Sequence, residues 1–229
     1  MNRFDAELIA RTPLTARVHL LRFAAREPFQ WAAGQYLLVV RCAGVELRIP
    51  YSIASACDPA HAREFEIAAA IHAGADAIDG LEIGGRVELE GPAGSFVWQA
   101  EPSPAALLVG VGTGIAPLRA LIREELARAS SVRLALLAGH RVAEDVLFHD
   151  EFNALAASSA RFRFVPTLSA GAEGWSGRRG RVQAQLAELV RSLEPLDAYV
   201  CGRLDMLNEV VSELASLGVP AARIRAEGY

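Results

Sequence analysis

The chain has 229 residues, of which 52% are hydrophobic and 22% are charged, and its formal net charge is -4. These values are typical of a soluble globular protein with one large or two modest domains, and they exclude a chain-wide basic surface for nucleic acid or anionic membrane. All 23 basic residues are arginine, which excludes Schiff-base chemistry on a lysine.

The N-terminal residues, MNRFDAELIA, contain no long apolar segment, and no stretch of the chain approaches the ~20 apolar residues that a membrane span needs. We therefore expect a cytoplasmic protein without a membrane partner. Cys42, Cys57 and Cys201 lie far apart and lack the spacing of a disulfide framework, a zinc site or an iron–sulfur cluster. No metal site is predicted, and any redox centre is expected to be an organic cofactor.

The first hundred residues consist of short segments with alternating polarity, separated by turn-forming glycines and prolines. Candidate strands lie at residues 5–11, 16–24, 35–41, 46–54, 63–72 and 85–90. This pattern predicts a six-stranded antiparallel Greek-key β-barrel. The two prolines of Glu101-Pro102-Ser103-Pro104 interrupt regular structure and mark a linker.

After this linker the hydrophobic period changes. Candidate strands at 105–110, 132–138, 161–167 and 197–201 alternate with candidate helices at 116–129, 144–157, 181–192 and 204–217. Such alternation predicts an α/β domain with a parallel sheet and right-handed crossovers. We therefore predict two domains, residues 1–100 and 101–229, with ligands of the second domain at the carboxyl ends of its strands.

Residues 107–117 read LLVGVGTGIAP, an apolar strand followed by closely spaced glycines and a proline. Glycines at 110, 112 and 114 permit positive φ and bring backbone N–H groups against an anion, while Pro117 suits a first helical turn. This predicts a phosphate-binding turn, with a purely structural strand–turn–helix as the alternative. Ile115 stands where the common dinucleotide fingerprint needs glycine, so this turn differs from the usual Rossmann loop.

In the barrel half, the segment from Arg48 to Ser55 combines a proline, an aromatic ring and hydroxyls. Pro50 lacks an N–H and suits a sheet edge, next to which Tyr51 could stack on a planar ligand and Ser52 could hydrogen-bond to it. Ordinary barrel packing is the alternative. In the second half, Cys201 either lies near a bound ring or is a buried structural cysteine.

Seven segments, in this order, resemble the ferredoxin–NADP reductase family of flavoproteins, including its flavin-reductase and oxygenase-reductase members. They are Gly34-Gln35-Tyr36, Pro50 to Ser55, Gly91 to Phe96, Gly110 to Pro117, Trp175 to Val182, Cys201-Gly202 with Met206, and Glu227-Gly228-Tyr229. The resemblance spans nearly the whole chain. It implies a flavin, FAD or FMN, on the barrel domain and NAD(P)H on the parallel-sheet domain, with hydride passing between them at the domain junction.

The resemblance also implies roles for individual residues. Tyr51 would stack on the isoalloxazine and Ser52 would hydrogen-bond near flavin N5. Cys201 would lie beside nicotinamide C4, Glu227 would position or protonate, and Tyr229 would cover the flavin until nicotinamide displaces it. The predicted catalytic residues are therefore Ser52, Cys201, Glu227 and Tyr229. The backbone from Gly110 to Gly114 and Thr113 would cradle the pyrophosphate. The remaining predicted cofactor contacts are Arg48, Pro50, Ile53, Gly74, Ala75, Gly112, Gly114, Pro117, His140, Arg141, Arg179, Gly202 and Met206.

Two departures from the family pattern concern the flavin phosphates. The family usually has arginine two places before the tyrosine, where this chain has Ile49; Arg48 is one residue earlier and faces the opposite side of a regular strand. The family's phosphate turn corresponds to residues 73–77, with Asp76 where a hydroxyl is expected. We therefore predict flavin binding that is either weaker than usual or indifferent to the phosphates, so that the flavin could act as an exchangeable substrate.

The nucleotide preference is predicted from the strand that follows the glycine turn. An NAD-selective site of the common kind has an acid about twenty residues past the glycines, whereas this strand runs into Gly139-His140-Arg141. Together with Arg178, Arg179 and Arg181, this favours NADPH, unless these arginines are simply solvated.

The leading prediction is an NAD(P)H-dependent flavoprotein reductase that acts as a monomer. Its electron acceptor would be external: a ferredoxin or flavodoxin, an oxygenase component, or free flavin. One alternative is an electron-transfer subunit that works only within a larger redox complex. Another is a degenerate nucleotide-binding module without the reaction, against which the presence of Ser52, Cys201 and Glu227 argues.

Overall fold

The computed structural model describes residues 2–71, 78–171 and 173–229. The strands are β1 Asn2–Pro13, β2 Val18–Ala25, β3 Tyr36–Cys42, β4 Val45–Ser52, β5 Glu64–Ala70, β6 Arg86–Ala93, β7 Ala105–Val111, β8 Arg133–His140, β9 Phe162–Leu168, β10 Arg178–Arg179, β11 Asp197–Gly202 and β12 Ile224–Gly228. The helices are α1 Ile115–Ala127, α2 His149–Ser158, α3 Leu186–Leu193 and α4 Leu204–Ser216. Within the described ranges, no helix is long and apolar enough to cross a membrane.

The chain divides into two compact units. The first contains Met1–Val97 together with the stretch Arg119–Glu124 of α1, and the second contains Trp98–Leu118 and Glu125–Tyr229.

The first unit is built on an antiparallel sheet of six strands in the order β4-β3-β6-β1-β2-β5. Its two edge strands meet, because Ile53 forms an antiparallel bridge with Ile67 and the Ala54 N–H donates to the Glu66 carbonyl at 2.7 Å. The predicted six-stranded barrel is thereby confirmed. Alternate inward residues, among them Leu21 and Phe23 of β2, are fully buried and fill its interior.

The second unit is built on a parallel sheet of six strands in the order β10-β9-β8-β7-β11-β12. The central strand β7 is almost a continuous buried apolar run, as expected where helices cover both faces of a sheet. The predicted parallel sheet is confirmed, although the sequence missed its two edge strands, β10 and β12.

Two predicted helices begin later than expected. The helix predicted from 144 starts at His149, because residues 143–145 form a short 3-10 turn and Phe148 has a φ of 54°. The helix predicted from 181 starts at Leu186, after another 3-10 turn over Val182–Gln185. In both cases the amphipathic pattern continues through the turn, so periodicity alone does not locate the helix start.

The predicted linker is fixed to the second unit. The Gln99 N–H donates to the buried Tyr199 hydroxyl at 2.9 Å. The Ser103 N–H and hydroxyl donate to the buried carboxylate of Asp197 at 2.7 and 3.1 Å. Arg223 pairs with the same carboxylate at 3.3 Å. Because these buried groups are satisfied by the segment itself, residues 98–104 pack as part of the second unit.

Candidate cofactor-binding sites

The glycine turn lies where β7 ends and α1 begins, with Gly112–Gly114 forming a short 3-10 turn before Ile115. Of the three glycines, only Gly112 has positive φ, at 52°. Gly110 and Gly114 are needed for close approach instead. A Cβ on Gly114 would lie 2.5 Å from the Cys201 carbonyl oxygen, and one on Gly110 would lie 2.7 Å from the Leu118 side chain. Because these glycines carry no side chain, the backbone of the turn lies directly against the carboxyl end of β11.

The C-terminal tyrosine closes onto this turn. Tyr229 follows β12, and its hydroxyl accepts a hydrogen bond from the Gly114 N–H at 3.1 Å and donates one to the Val111 carbonyl at 3.2 Å. The residue as a whole remains 57% exposed. An exposed aromatic ring next to a turn that presents backbone N–H groups suits a planar ligand carrying a phosphate.

Two predicted catalytic residues are brought side by side at the end of the sheet. Cys201 on β11 is paired with Glu227 on β12, in the parallel register that also pairs Cys201 with Gly110 of β7. Burial raises the pKa of the Cys201 thiol, and the nearby Glu227 carboxylate adds to that rise. Burial also raises the pKa of Glu227. Cys201 is thus a neutral, polarizable group rather than a thiolate nucleophile.

Further along the same edge, Gly202 and Met206 pack together. A Cβ on Gly202 would lie 2.7 Å from both the Met206 side chain and the Val111 side chain. Pro117 is buried in the first turn of α1, whereas Thr113 is half-buried beside Tyr229. The predicted nucleotide contacts at 112–114, 117, 202 and 206 therefore lie near the carboxyl ends of β7 and β11.

His140 ends β8, but its imidazole carries no positive charge towards a phosphate. The residue is 7% exposed, burial lowers its pKa to about 4, and its Nε2 atom has no hydrogen-bond partner among the described residues. The neighbouring Arg141 is exposed. Electrostatic binding of a 2′-phosphate near this strand would therefore depend on arginine and not on His140.

The other arginines that favoured NADPH have different surroundings. Arg178 donates to Glu188 at 2.7 Å and to Gln185 at 2.9 Å, so its charge is neutralised within the unit. The sequence did not single out Glu188, which lies ten positions away in α3. Arg179 is exposed and bonds the Trp175 carbonyl at 3.1 Å, and Arg181 is exposed.

In the first unit, β4 places Arg48 and Tyr51 on opposite faces, as the offset in the sequence predicts. Arg48 is exposed and pairs with Glu90 at 3.6 Å, whereas Tyr51 is half-buried against the barrel core. The face that carries Tyr51 has Ile49 two residues earlier, so no arginine precedes the ring on that face. The predicted contacts Gly74 and Ala75 lie outside the described residues.

The segment after Ser52 is fixed by a hydrogen bond at almost every residue. The Ile53 N–H donates to the Gln35 carbonyl at 2.9 Å. The Ala54 carbonyl accepts from Arg119 at 2.9 Å, and the Ser55 carbonyl accepts from the Trp31 indole at 3.0 Å. The sequence missed Arg119, which is far from this segment along the chain. A backbone held in this way can keep the Tyr51 ring and Ser52 hydroxyl in a defined place.

Gly34 has a structural requirement that explains the Gly34-Gln35-Tyr36 segment. Its φ is 94°, and a Cβ would lie 1.8 Å from the Phe96 carbonyl oxygen. Gln35 then bonds the Ala32 N–H through its side chain at 2.9 Å. Only glycine allows this turn to pass so close to residue 96.

The described residues fit both implied cofactors, though unequally. The turn at 112–114 is shaped by glycines at which a Cβ would be strained or would overlap neighbouring atoms, as expected for backbone that must approach a pyrophosphate. The half-buried Tyr51 ring beside Ser52 suits a planar ring system. On the Tyr51 face of β4, however, the described residues supply no cation for a flavin phosphate.

Known proteins resemble this chain over its whole length. The profile of the oxidoreductase NAD-binding domain matches residues 108–212. Ferredoxin–NADP reductase B of Sorangium cellulosum is 38% identical, over 99% of this chain and 97% of that protein. An NAD(P)H-flavin reductase of Vibrio harveyi is 30% identical, over 85% and 84% of the two chains. The crystal structure of an Amycolatopsis cytochrome P450 reductase has a TM-score of 0.90 at 28% identity, covering 99% of this chain and 69% of that one.

These similarities support both the two-unit fold and the family resemblance that the sequence motifs indicated. Both sequence relatives are reductases, and each is at least 30% identical over more than four fifths of its length. The chain therefore belongs to the ferredoxin–NADP reductase family of NAD(P)H-dependent oxidoreductases.

Proposed function

We propose that this protein oxidises NADPH and passes the electrons through FAD to an external acceptor. Residues 1–100 would hold the flavin and residues 101–229 the nucleotide. The observation that supports this best is the convergence of the 112–114 turn, Cys201, Glu227 and Tyr229 at one edge of the parallel sheet. Nicotinamide and flavin supply the hydride chemistry when bound.

The protein's own residues would bind, orient and exclude water. The Gly112 and Gly114 backbone would bind the pyrophosphate once the Tyr229 hydroxyl leaves the Gly114 N–H. Cys201, buried and protonated, would present a compact apolar surface, and Glu227, whose pKa burial raises, would place a carboxyl group beside it. Ser52 would donate or accept one hydrogen bond at the flavin ring.

This proposal is tested by the visible spectrum of the purified protein. FAD is added first, and NADPH is then added without oxygen. The visible absorption band of the flavin is expected to disappear at a rate that increases with protein concentration. A protein that leaves the flavin oxidised under these conditions contradicts the proposal and supports a nucleotide-binding module without the reaction.

We further propose that the flavin exchanges with solution. The Tyr51 face of β4 carries Ile49 where the family usually has arginine, and Arg48 is paired with Glu90 on the other face. Free flavin would then be the substrate that accepts the electrons. The Vibrio harveyi relative is named as an NAD(P)H-flavin reductase, which supports this proposal. Dialysis is expected to remove the flavin; retention of one FAD per chain would refute this.

NADPH is the proposed nucleotide, because Arg141, Arg179 and Arg181 are exposed near the predicted strand ends and no carboxylate follows β8 directly. Arg178 is excluded from this role by its pair with Glu188. The ratio of kcat/KM for NADPH and NADH tests this, and a strong preference for NADH would overturn it.

A second function is favoured by other relatives. The reductase component of a Ralstonia naphthalene dioxygenase system is 28% identical over 94% of this chain, and an aromatic O-demethylase reductase subunit from Amycolatopsis is 31% identical over 89%. This chain spans 65% and 62% of those proteins. An electron-transfer subunit would give little turnover alone and would co-purify with its oxygenase, whereas rapid reduction of an artificial acceptor by the isolated chain argues for a free enzyme.

A further inference from the structure

A buried arginine supports the backbone next to the predicted flavin contacts. Only 6% of the Arg119 side chain is exposed, and its Nη1 atom lies 2.7 Å from Glu66 Oε2 and 2.9 Å from the Ala54 carbonyl oxygen. By its contacts Arg119 belongs to the first unit, as do Glu66 and Ala54. One guanidinium nitrogen therefore joins a carboxylate of β5 to the segment that follows β4.

Glu66 bonds the same segment through its backbone. Its carbonyl accepts from the Ala54 N–H at 2.7 Å, and its N–H donates to the Ser55 hydroxyl at 3.1 Å. Arg119, Ala54 and Glu66 thus form a closed cycle in which each member bonds the other two. Because Ile53 is held by Gln35, little slack remains between this cycle and Ser52.

We propose that Arg119 is a positioning residue for the flavin site: it holds the Ala54 carbonyl so that the Tyr51 ring and Ser52 hydroxyl stay in place. The inference rests on the proposed function, in which Tyr51 and Ser52 contact the isoalloxazine. A buried ion pair adds little to stability compared with apolar residues of similar size, and one role for such a pair is to define a unique arrangement. Here the arrangement defined is the backbone beside two flavin contacts.

The test compares variants of Arg119 by a measurement that does not depend on turnover. Arg119→Met removes the donor and leaves the carboxylate of Glu66 without this cation, which could unfold the unit. The double variant Arg119→Met/Glu66→Met removes both charges and is expected to stay folded and to lose less stability than Arg119→Met, because an apolar pair can replace a buried ion pair. Flavin affinity is measured by the quenching of flavin fluorescence, and NADPH affinity by a separate titration.

The double variant is expected to bind FAD about tenfold more weakly than wild type, since one charge-assisted hydrogen bond is lost at Ala54. Its NADPH dissociation constant is expected to stay within about twofold. Arg119→Lys keeps the charge but lacks the planar guanidinium group. Its flavin affinity should therefore lie between those of the wild type and the double variant.

Arg161→Met is the matched control. Arg161 is a partly buried arginine of the second unit that donates to the carbonyls of Leu126 and Val132 at 3.3 and 3.2 Å. Its loss is expected to lower the melting temperature and leave flavin affinity unchanged. A double variant that folds and binds FAD as tightly as wild type overturns the positioning role alone. Wild-type protein that binds no flavin overturns the proposed function and this inference together.

Discussion

The hydroxyl of Tyr229, the last residue, accepts a hydrogen bond from the backbone N–H of Gly114 at 3.1 Å. This N–H belongs to the turn that the sequence assigns to a pyrophosphate. A tyrosine bonded there and a bound phosphate cannot both accept from the same donor in the same place. If the turn binds the nucleotide as proposed, Tyr229 would compete with it there, in addition to the role over the flavin that the resemblance implies.

Tyr229→Phe is expected to tighten NADPH binding about fivefold, since one neutral hydrogen bond of about 1 kcal/mol no longer has to be displaced. Titration of NADPH without flavin measures this directly. An unchanged dissociation constant would show that the hydroxyl does not compete. Tyr199→Phe, which removes a buried hydroxyl bonded to Gln99, is a control that should affect stability but not NADPH affinity.

Gly114→Ala is expected to destabilise the second unit by about 1–3 kcal/mol, the usual cost of overpacking. The added Cβ would lie 2.5 Å from the carbonyl oxygen of Cys201, which is backbone and cannot rotate away. Chemical denaturation measures the loss, and NADPH affinity should fall with it while flavin affinity does not. Gly80→Ala is the matched control, because its φ is not positive and, among the described residues other than its chain neighbours, no atom lies within 4 Å of the added Cβ. Equal stability of the two variants would contradict the expected overlap.

Acid is expected to destabilise the protein through His140. Burial lowers the pKa of this group from 6.5 to about 4 in the folded state, so the unfolded chain binds more protons between these values. The contribution of neutral His140 to the free energy of unfolding is fully present above about pH 6.5. It is lost as the pH falls towards 4. Linkage predicts a loss of about 2 kcal/mol between about pH 7.5 and pH 5.

The free energy of unfolding, measured by urea denaturation at several pH values, tests the His140 prediction. His140→Leu should lack this part of the acid loss, whereas His61→Asn, at an exposed histidine paired with Asp58, should keep it. If the free energy of unfolding of His140→Leu fell by the same amount in acid, the decrease would have to come from other titratable groups.

Alkylation is expected to distinguish the cysteines. Burial raises the pKa of Cys201 and of Cys42, and both are buried, so neither should react with iodoacetamide in folded protein near neutral pH. Cys57 is partly exposed and should react first. Mass spectrometry of the modified peptides measures the order. Rapid modification of Cys201 would contradict its assignment as a protonated, buried thiol.

The sequence predicted the central elements of both units because their patterns are local. The buried run of β7 and the alternation of the barrel strands follow from which faces each strand buries. The missed strands lack such patterns. β10 has two residues, both arginine, and β12 is a largely exposed edge strand, IRAEG, with little apolar periodicity. Both form because the preceding strand in the chain, β9 or β11, supplies hydrogen-bond partners, and local polarity does not reveal such a pairing.

Among the site residues, charge state was the property that sequence predicted least well. His140 and Arg178 both suggested positive charge near a phosphate. Burial keeps His140 neutral, and Glu188 neutralises Arg178. Both effects depend on which groups surround a side chain, and spacing along the chain does not contain that information.

By itself, the amino-acid sequence determined the family, the two-unit architecture and the glycine turn between β7 and α1, because each rests on local spacing or on periodicity. Only the tertiary structure decided that Tyr229 bonds Gly114, that Cys201 lies beside Glu227 and that Arg119 bonds Ala54. These partners are separated by 26 to 115 positions. They meet because the parallel register of the sheet, and the packing of Arg119–Glu124 within the first unit, bring distant chain segments together.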